Sequence, residues 1–185
     1  MAAIDDAIER ADREAFTRQP PKTLQARINF LMKQLKTTKA VAAALGVSQR
    51  SVERYRKGER KHPPKAIANR IDDEVRQRWQ PLVRKRRQKQ AATTGGVTVE
   101  TRARFGYTAP VGTTDDGRFR RLTVHLPPAY AQRLFDARDT GASDQEMRAI
   151  IAEGFKDVYF QDGGTRATGL SDVTLNDIDY LDLDY

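Results

Sequence analysis

The sequence predicts an α+β protein: an N-terminal all-α helix-turn-helix domain, then a small β-hairpin plus two-helix domain, then an acidic tail. Three observations predict it. Apolar residues recur at helical spacing through residues 1–90. Period-two alternation first appears at Val97 and returns at Arg118. Charge also changes sign: residues 31–90 hold eighteen bases against five acids, whereas residues 91–185 hold ten bases against fifteen acids.

The elements follow in order. Ile4, Ala7, Ile8, Ala11 and Ala15 share one face of a helix over Ala3–Phe16, which Pro20-Pro21 ends. Thr23 is placed to cap a second helix, Leu24–Leu35, with Leu24, Ile28, Leu31 and Leu35 as its stripe. Residues 37–58 read as a helix-turn-helix. Val41, Ala44 and Leu45 face inward, Gly46 permits the turn, Val47 plugs it, and Ser48 caps the next helix. Val52 and Tyr55 anchor that helix, leaving Gln49, Arg50, Ser51, Arg54, Arg56 and Lys57 outward. These side chains suit base edges and phosphates in a major groove. The plain alternative is an αα-hairpin with no ligand.

A long helix over Lys65–Gln90 carries Ala66, Ile67, Ile71, Val75 and Trp79 as its stripe, and Pro81 breaks it at Gln80. Beyond the break Arg84, Lys85, Arg86 and Arg87 read as a phosphate clamp, the plain alternative being a solvated helix end. Residues 91–96, Ala-Ala-Thr-Thr-Gly-Gly, read as a hinge between a DNA-binding domain of residues 1–90 and an α+β domain of residues 97–160. Strands are expected over Val97–Arg104 and Arg118–Leu126, paired as a hairpin around the loop 105–117. Pro127-Pro128 begins a helix through Ala137. Ser143 and Glu146 then form a capping box for another, with Met147, Ile150, Ile151, Phe155, Val158 and Tyr159 inward.

This strand–helix–helix order has a second reading as a ribbon-helix-helix unit, which pairs strands across a homodimer and reads DNA with Arg121, Thr123 and His125. The simpler reading pairs the strand with 97–104. Residues 161–185 hold six acids and one base. They read either as a disordered solubilising tail or as a segment whose acid–apolar alternation adds a strand to a partner or shields the basic face.

Composition excludes several classes. With no cysteine the chain lacks disulfides, thiolate catalysis and cysteine–zinc sites, and its two histidines, His62 and His125, lie far apart. No apolar run approaches the ~20 residues that span a bilayer. The first residues lack a signal-peptide pattern, so a cytoplasmic, nucleoid-associated protein is expected, without membrane partners. The net charge of +13 within residues 31–90 suits a polyanion, because each contacted phosphate releases counterions.

The loop Phe105–Gly117 carries four hydroxyls: Tyr107, Thr108, Thr113 and Thr114. Sequence physics leaves all four open as reactive groups. The chain as a whole resembles the telomere terminal proteins of linear replicons in Streptomyces and related actinobacteria. The resemblance rests on residues 33–41, 48–55, 78–81 and 91–96, and most distinctively on Gly106-Tyr-Thr-Ala-Pro-Val-Gly-Thr-Thr-Asp115 and Val158-Tyr-Phe-Gln-Asp-Gly-Gly164. It implies a protein joined covalently to 5′ DNA ends, whose threonine hydroxyl replaces the 3′-OH a polymerase extends. The acceptor carried over is Thr114, with Thr113 as the alternative. The implied partners are telomeric DNA, a DNA polymerase and a telomere-associated protein. The chain is then an acceptor and not a catalyst. It has no cofactor of its own, because the divalent metal comes with the polymerase. Asp115 and Asp116 would touch that metal or simply shape the turn. The competing expectation is a helix-turn-helix transcriptional regulator.

Overall fold

The computed structural model of the protein describes residues 3–108 and 118–185. They form an α+β structure of two compact units: residues 16–82, and residues 83–185 together with the segment up to Ala15.

The first unit is helical. α2 (Leu24–Leu35), α3 (Thr38–Leu45), α4 (Gln49–Lys57) and α5 (Lys65–Arg78) enclose Ile28, Leu31, Val41, Leu45, Val52, Tyr55, Ile71 and Val75. Their boundaries follow from local chemistry. The hydroxyls of Thr23, Thr37 and Ser48 accept backbone N–H groups of Ala26, Ala40 and Ser51, satisfying donors that a helix start leaves open. Gly46 closes α3 at φ 64°, in the left-handed region, and a Cβ there would collide with the Arg70 guanidinium. That guanidinium donates to the Leu45 carbonyl at 3.0 Å and so ties α5 to the turn. Trp79 stacks edge-on against Phe30, with centroids 5.0 Å apart, and its indole N–H donates to the Arg18 carbonyl. The break falls where expected: Gln80 has φ 46° and Pro81 opens α6 (Pro81–Gln90).

The second unit is a three-stranded antiparallel sheet in the order β2–β1–β3. β1 (Val97–Thr108) pairs with β2 (Arg118–Leu126) from Val97↔Leu126 to Phe105↔Arg118. β1 also pairs with β3 (Asp172–Asp184) from Thr98↔Asp184 to Thr108↔Asp172, with a register shift between Arg102 and Arg104. One face of the sheet carries Val97, Val99, Ala103, Phe105, Val124, Leu126, Val173, Leu175, Leu181 and Leu183. These pack with α1 (Ala3–Glu14), α7 (Pro128–Asp139) and α8 (Asp144–Phe155) in a single core. The capping box at Ser143 and Glu146 is present.

Several expectations are corrected here. α1 belongs to the sheet unit and not to the helix-turn-helix, because Ile4, Ala7, Ile8 and Ala11 bury fully in the sheet-side core. The clamp segment from Val83 also belongs to that unit. Residues 91–96 form no hinge. Residues 91–95 make a π-helical turn whose Ala91 is buried, with the Gly96 amide donating to the Ala91 carbonyl at 2.8 Å. Gly96 has φ 70°, and a Cβ there would strike the Leu126 carbonyl. Residues 105–108, read as loop, continue β1 because β3 supplies their ladder partners. Most of the acidic tail is not a disordered segment but a strand that pairs with β1 of its own chain. Its alternation makes β3, with Val173, Leu175, Leu181 and Leu183 inward. Tyr159, expected inward, is 42 % exposed. β2 pairs within its own chain as in the simpler reading. His125 lies on the open face, its Nδ1 3.1 Å from the Thr98 hydroxyl, and Arg121 pairs with Glu100 at 2.7 Å.

Candidate nucleic-acid interface

α4 is short and its length matters. Val52 and Tyr55, three apart, fix one face in the core, with Tyr55 only 1 % exposed. Rotation is thereby settled, and Gln49, Arg50, Arg54, Arg56 and Lys57 all come out exposed, with Ser51 half-buried beside the cap. The Ser51 hydroxyl lies 3.0 Å from that of Ser48. Gly58 stops the helix in the left-handed conformation at φ 75°. The structure thus gathers all six residues read from sequence onto one helix that meets solvent along its length.

Two strips result. Arg50, Arg54 and Lys57 follow helical spacing along one, where they line a shallow groove with Glu53 and Glu59. Arg56 and Lys57 share a second groove with Gln25 and Asn29 of α2. Arg54 has a carboxylate partner, Glu59, at 3.7 Å. Both side chains are about half-exposed, and such a pair yields readily to a phosphate. Sequence reasoning missed Gln25 and Asn29, which sit at a helical spacing of four on an otherwise ordinary helix. It also passed over Glu53, a carboxylate in the middle of a basic surface. A carboxylate repels phosphate but is able to accept a hydrogen bond from a cytosine amino group, so a surface of this composition suits base reading better than indiscriminate backbone binding.

The second basic group divides. Lys85 and Arg86 are exposed. Arg84 and Arg87 face inward instead. Arg84 donates to Glu9 from both terminal nitrogens, at 2.9 and 3.2 Å, and stands 3.9 Å from Asp12, whose side chain is fully buried. Arg138 of α7 closes the same cluster, at 2.7 Å from Asp5 and 2.6 Å from Glu9. Burial opposes the Glu9 charge, but the two guanidiniums outweigh it and hold its carboxyl below the usual range. Arg87 reaches Asp184 at 3.4 Å and lies over the Tyr185 ring. As a phosphate clamp the segment therefore reduces to Lys85 and Arg86. Arg84 is committed to Glu9 and the buried Asp12, which it shares with Arg138.

Thr113 and Thr114, with Asp115 and Asp116, lie outside the described residues. The strands that lead to them are well placed. Phe105 is buried in the core, and Tyr107 is half-buried and stacks edge-on against Phe160 at 5.1 Å. Phe160 ends a π-helical turn, Lys156–Phe160, that leads into Gln161-Asp-Gly-Gly164. The two stretches most distinctive in sequence therefore touch, through Tyr107 and Phe160. Burial pushes the Tyr107 phenol above its ordinary range against the opposing charge of Arg120, so this hydroxyl stays protonated at neutral pH. Its placement fits a packing residue and not a nucleophile. Among the described residues no three His, Cys, Asp or Glu side chains converge in the way a metal ion requires, and no helix is long and apolar enough to cross a membrane. Compared with family models, curated proteins and solved structures, the chain matches none.

Proposed function

We propose that this chain binds DNA through α4 and serves as a protein primer and end cap for linear DNA. The observation that carries the reading is α4: a recognition helix capped by Ser48, fixed in rotation by Val52 and Tyr55, and exposing four basic side chains. Priming rests on the likeness of residues 106–115 and 158–164 to terminal-protein sequences, and the contact between Tyr107 and Phe160 supports treating the two as one functional region.

In the proposed reaction the Thr114 hydroxyl oxygen attacks the α-phosphorus of a deoxynucleoside triphosphate. The new P–O bond forms as the bond to pyrophosphate breaks, pyrophosphate leaves, and the hydroxyl proton passes to the polymerase site. The polymerase supplies the metal ions that align this in-line displacement. The chain presents the hydroxyl and holds the DNA end, with a telomere-associated protein bringing both to the polymerase.

A helix-turn-helix regulator would use α4 in the same way, so Thr114 separates the two readings. Incubation with labelled deoxynucleotide, polymerase and telomere-associated protein is expected to label the wild type through denaturation. Thr114→Ala removes that label and Thr113→Ala keeps it. Operator-like binding by an unlabelled wild type would favour the regulator.

A further inference from the structure

The segment Val158–Gly164 has no part in the reaction written above, yet it walls a cavity of about 370 Å³. Among the described residues the lining includes Tyr107, Arg120, Tyr159, Phe160, Arg166 and Leu170, and no acid. A cavity of ~300–1,000 Å³ is the size that holds small ligands. Its chemistry is two-sided. Three aromatic rings meet edge-on, Tyr107 with Phe160 at 5.1 Å and Tyr159 with Phe160 at 5.0 Å. Two guanidiniums complete it. Arg120 sits 6.0 Å from both the Tyr107 and the Phe160 ring centres, and among the described residues its buried Nε meets no acceptor. Arg166 is exposed at the other side. A satellite of the core would be closed and apolar. This cavity is open, cationic and aromatic, and Tyr159 keeps 42 % of its surface free for stacking. π-Helical turns such as the one carrying Tyr159 and Phe160 recur at functional sites.

We infer that this cavity binds a nucleotide, with the base stacked on Tyr159 and the phosphate accepting hydrogen bonds from Arg120 and Arg166. Every base has a π-face and every nucleotide an anionic oxygen, so the ligand class follows from the walls without a base preference. Tyr107 stands in the strand that leads to Thr114, seven residues on. A nucleotide held here would therefore lie at the foot of the acceptor segment. Binding itself depends only on the cavity; its use in priming rests on the function proposed above.

The test uses the full chain with two probes, a deoxynucleoside triphosphate mixture by calorimetry and a fluorescent ten-nucleotide single strand by anisotropy. Tyr159→Ala and Arg166→Gln change exposed side chains and are expected to keep the melting temperature and duplex affinity. Each should weaken binding by roughly tenfold, the scale of one lost stacking or phosphate contact. A loss confined to the triphosphates assigns the cavity to free nucleotides, and a loss confined to the oligonucleotide assigns it to a nucleotide within a strand. Wild-type affinity for both probes in both variants, or no binding of either probe by the wild type, would overturn the inference. If Thr114-dependent labelling persisted in that case, priming would stand without the cavity. If labelling failed while the variants lost binding, the cavity would stand without priming.

Discussion

In the proposed function single residues carry the DNA contact and the turn that presents it. Arg50 and Arg54 are exposed on α4 and contribute nothing to the core, so Arg50→Ala and Arg54→Ala should leave the melting temperature unchanged. Each should weaken duplex binding by about 1–3 kcal/mol if it reads a base, or lower the salt slope by about one if it meets a phosphate. Titrations at several salt concentrations check this, and unchanged affinity for both would remove α4 from the interface. Gly46→Ala should destabilise the helical unit by roughly 1–3 kcal/mol, because φ 64° strains any Cβ and Arg70 must leave the Leu45 carbonyl. Thermal melting measures it. Glu9 sets a pH dependence. Its carboxyl ionises more easily folded than unfolded, so its stabilising effect is present above its ordinary value near 4.5 and is lost as pH falls through the lower folded value. Glu9→Gln should flatten that acid limb of the stability curve. At this scale the helix-turn-helix residues were legible because caps, turn glycine and inward apolar positions all lie within one short segment. Arg84 was not. The three residues that follow it are bases, and the acid it serves, Glu9, lies 75 positions away.

Among the elements, α1 and β3 show where sequence reading gives way to tertiary packing. The stripe of α1 was correctly read as apolar, but an amphipathic helix does not name the surface that covers it. Ile8 is fully buried in the sheet-side core. Ile8→Ala should cost about 2–5 kcal/mol and should loosen amide protection in the sheet unit, with the amides of α2–α5 unaffected. The opposite pattern in hydrogen exchange would return α1 to the helical unit. β3 is a case of period two read correctly and partnered wrongly. Asp177, Asp179, Asp182 and Asp184 looked like a solvated tail, yet Leu181 and Leu183 between them bury beside β1. Its exposed acids meet Arg102, Arg104 and Arg10 across the surface. Such a pairing depends on a strand some eighty residues earlier, such as Arg102↔Tyr180, which no local pattern encodes.

The whole molecule divides its labour between two units of opposite character. The helical unit concentrates cations on α4, and the sheet unit spends much of its basic charge on its own acids. The pairs Arg84 with Glu9, Arg102 with Asp179 and Arg121 with Glu100 are examples. A count of bases alone therefore overstates the anion-binding surface of residues 83–185. The segment proposed to carry the acceptor lies between the central strand β1 and the edge strand β2, and Tyr107 at the end of β1 packs against Phe160. The central claim is that Thr114 carries the first nucleotide, and one measurement bears on it most directly. Trypsin cleaves after Arg104 and Arg118, releasing a single peptide that contains Tyr107, Thr108, Thr113 and Thr114. After incubation with polymerase, telomere-associated protein and deoxynucleotides, fragmentation mass spectrometry of that peptide should find one nucleoside monophosphate on Thr114. A peptide with no adduct, or an adduct on Tyr107, Thr108 or Thr113, would contradict the account.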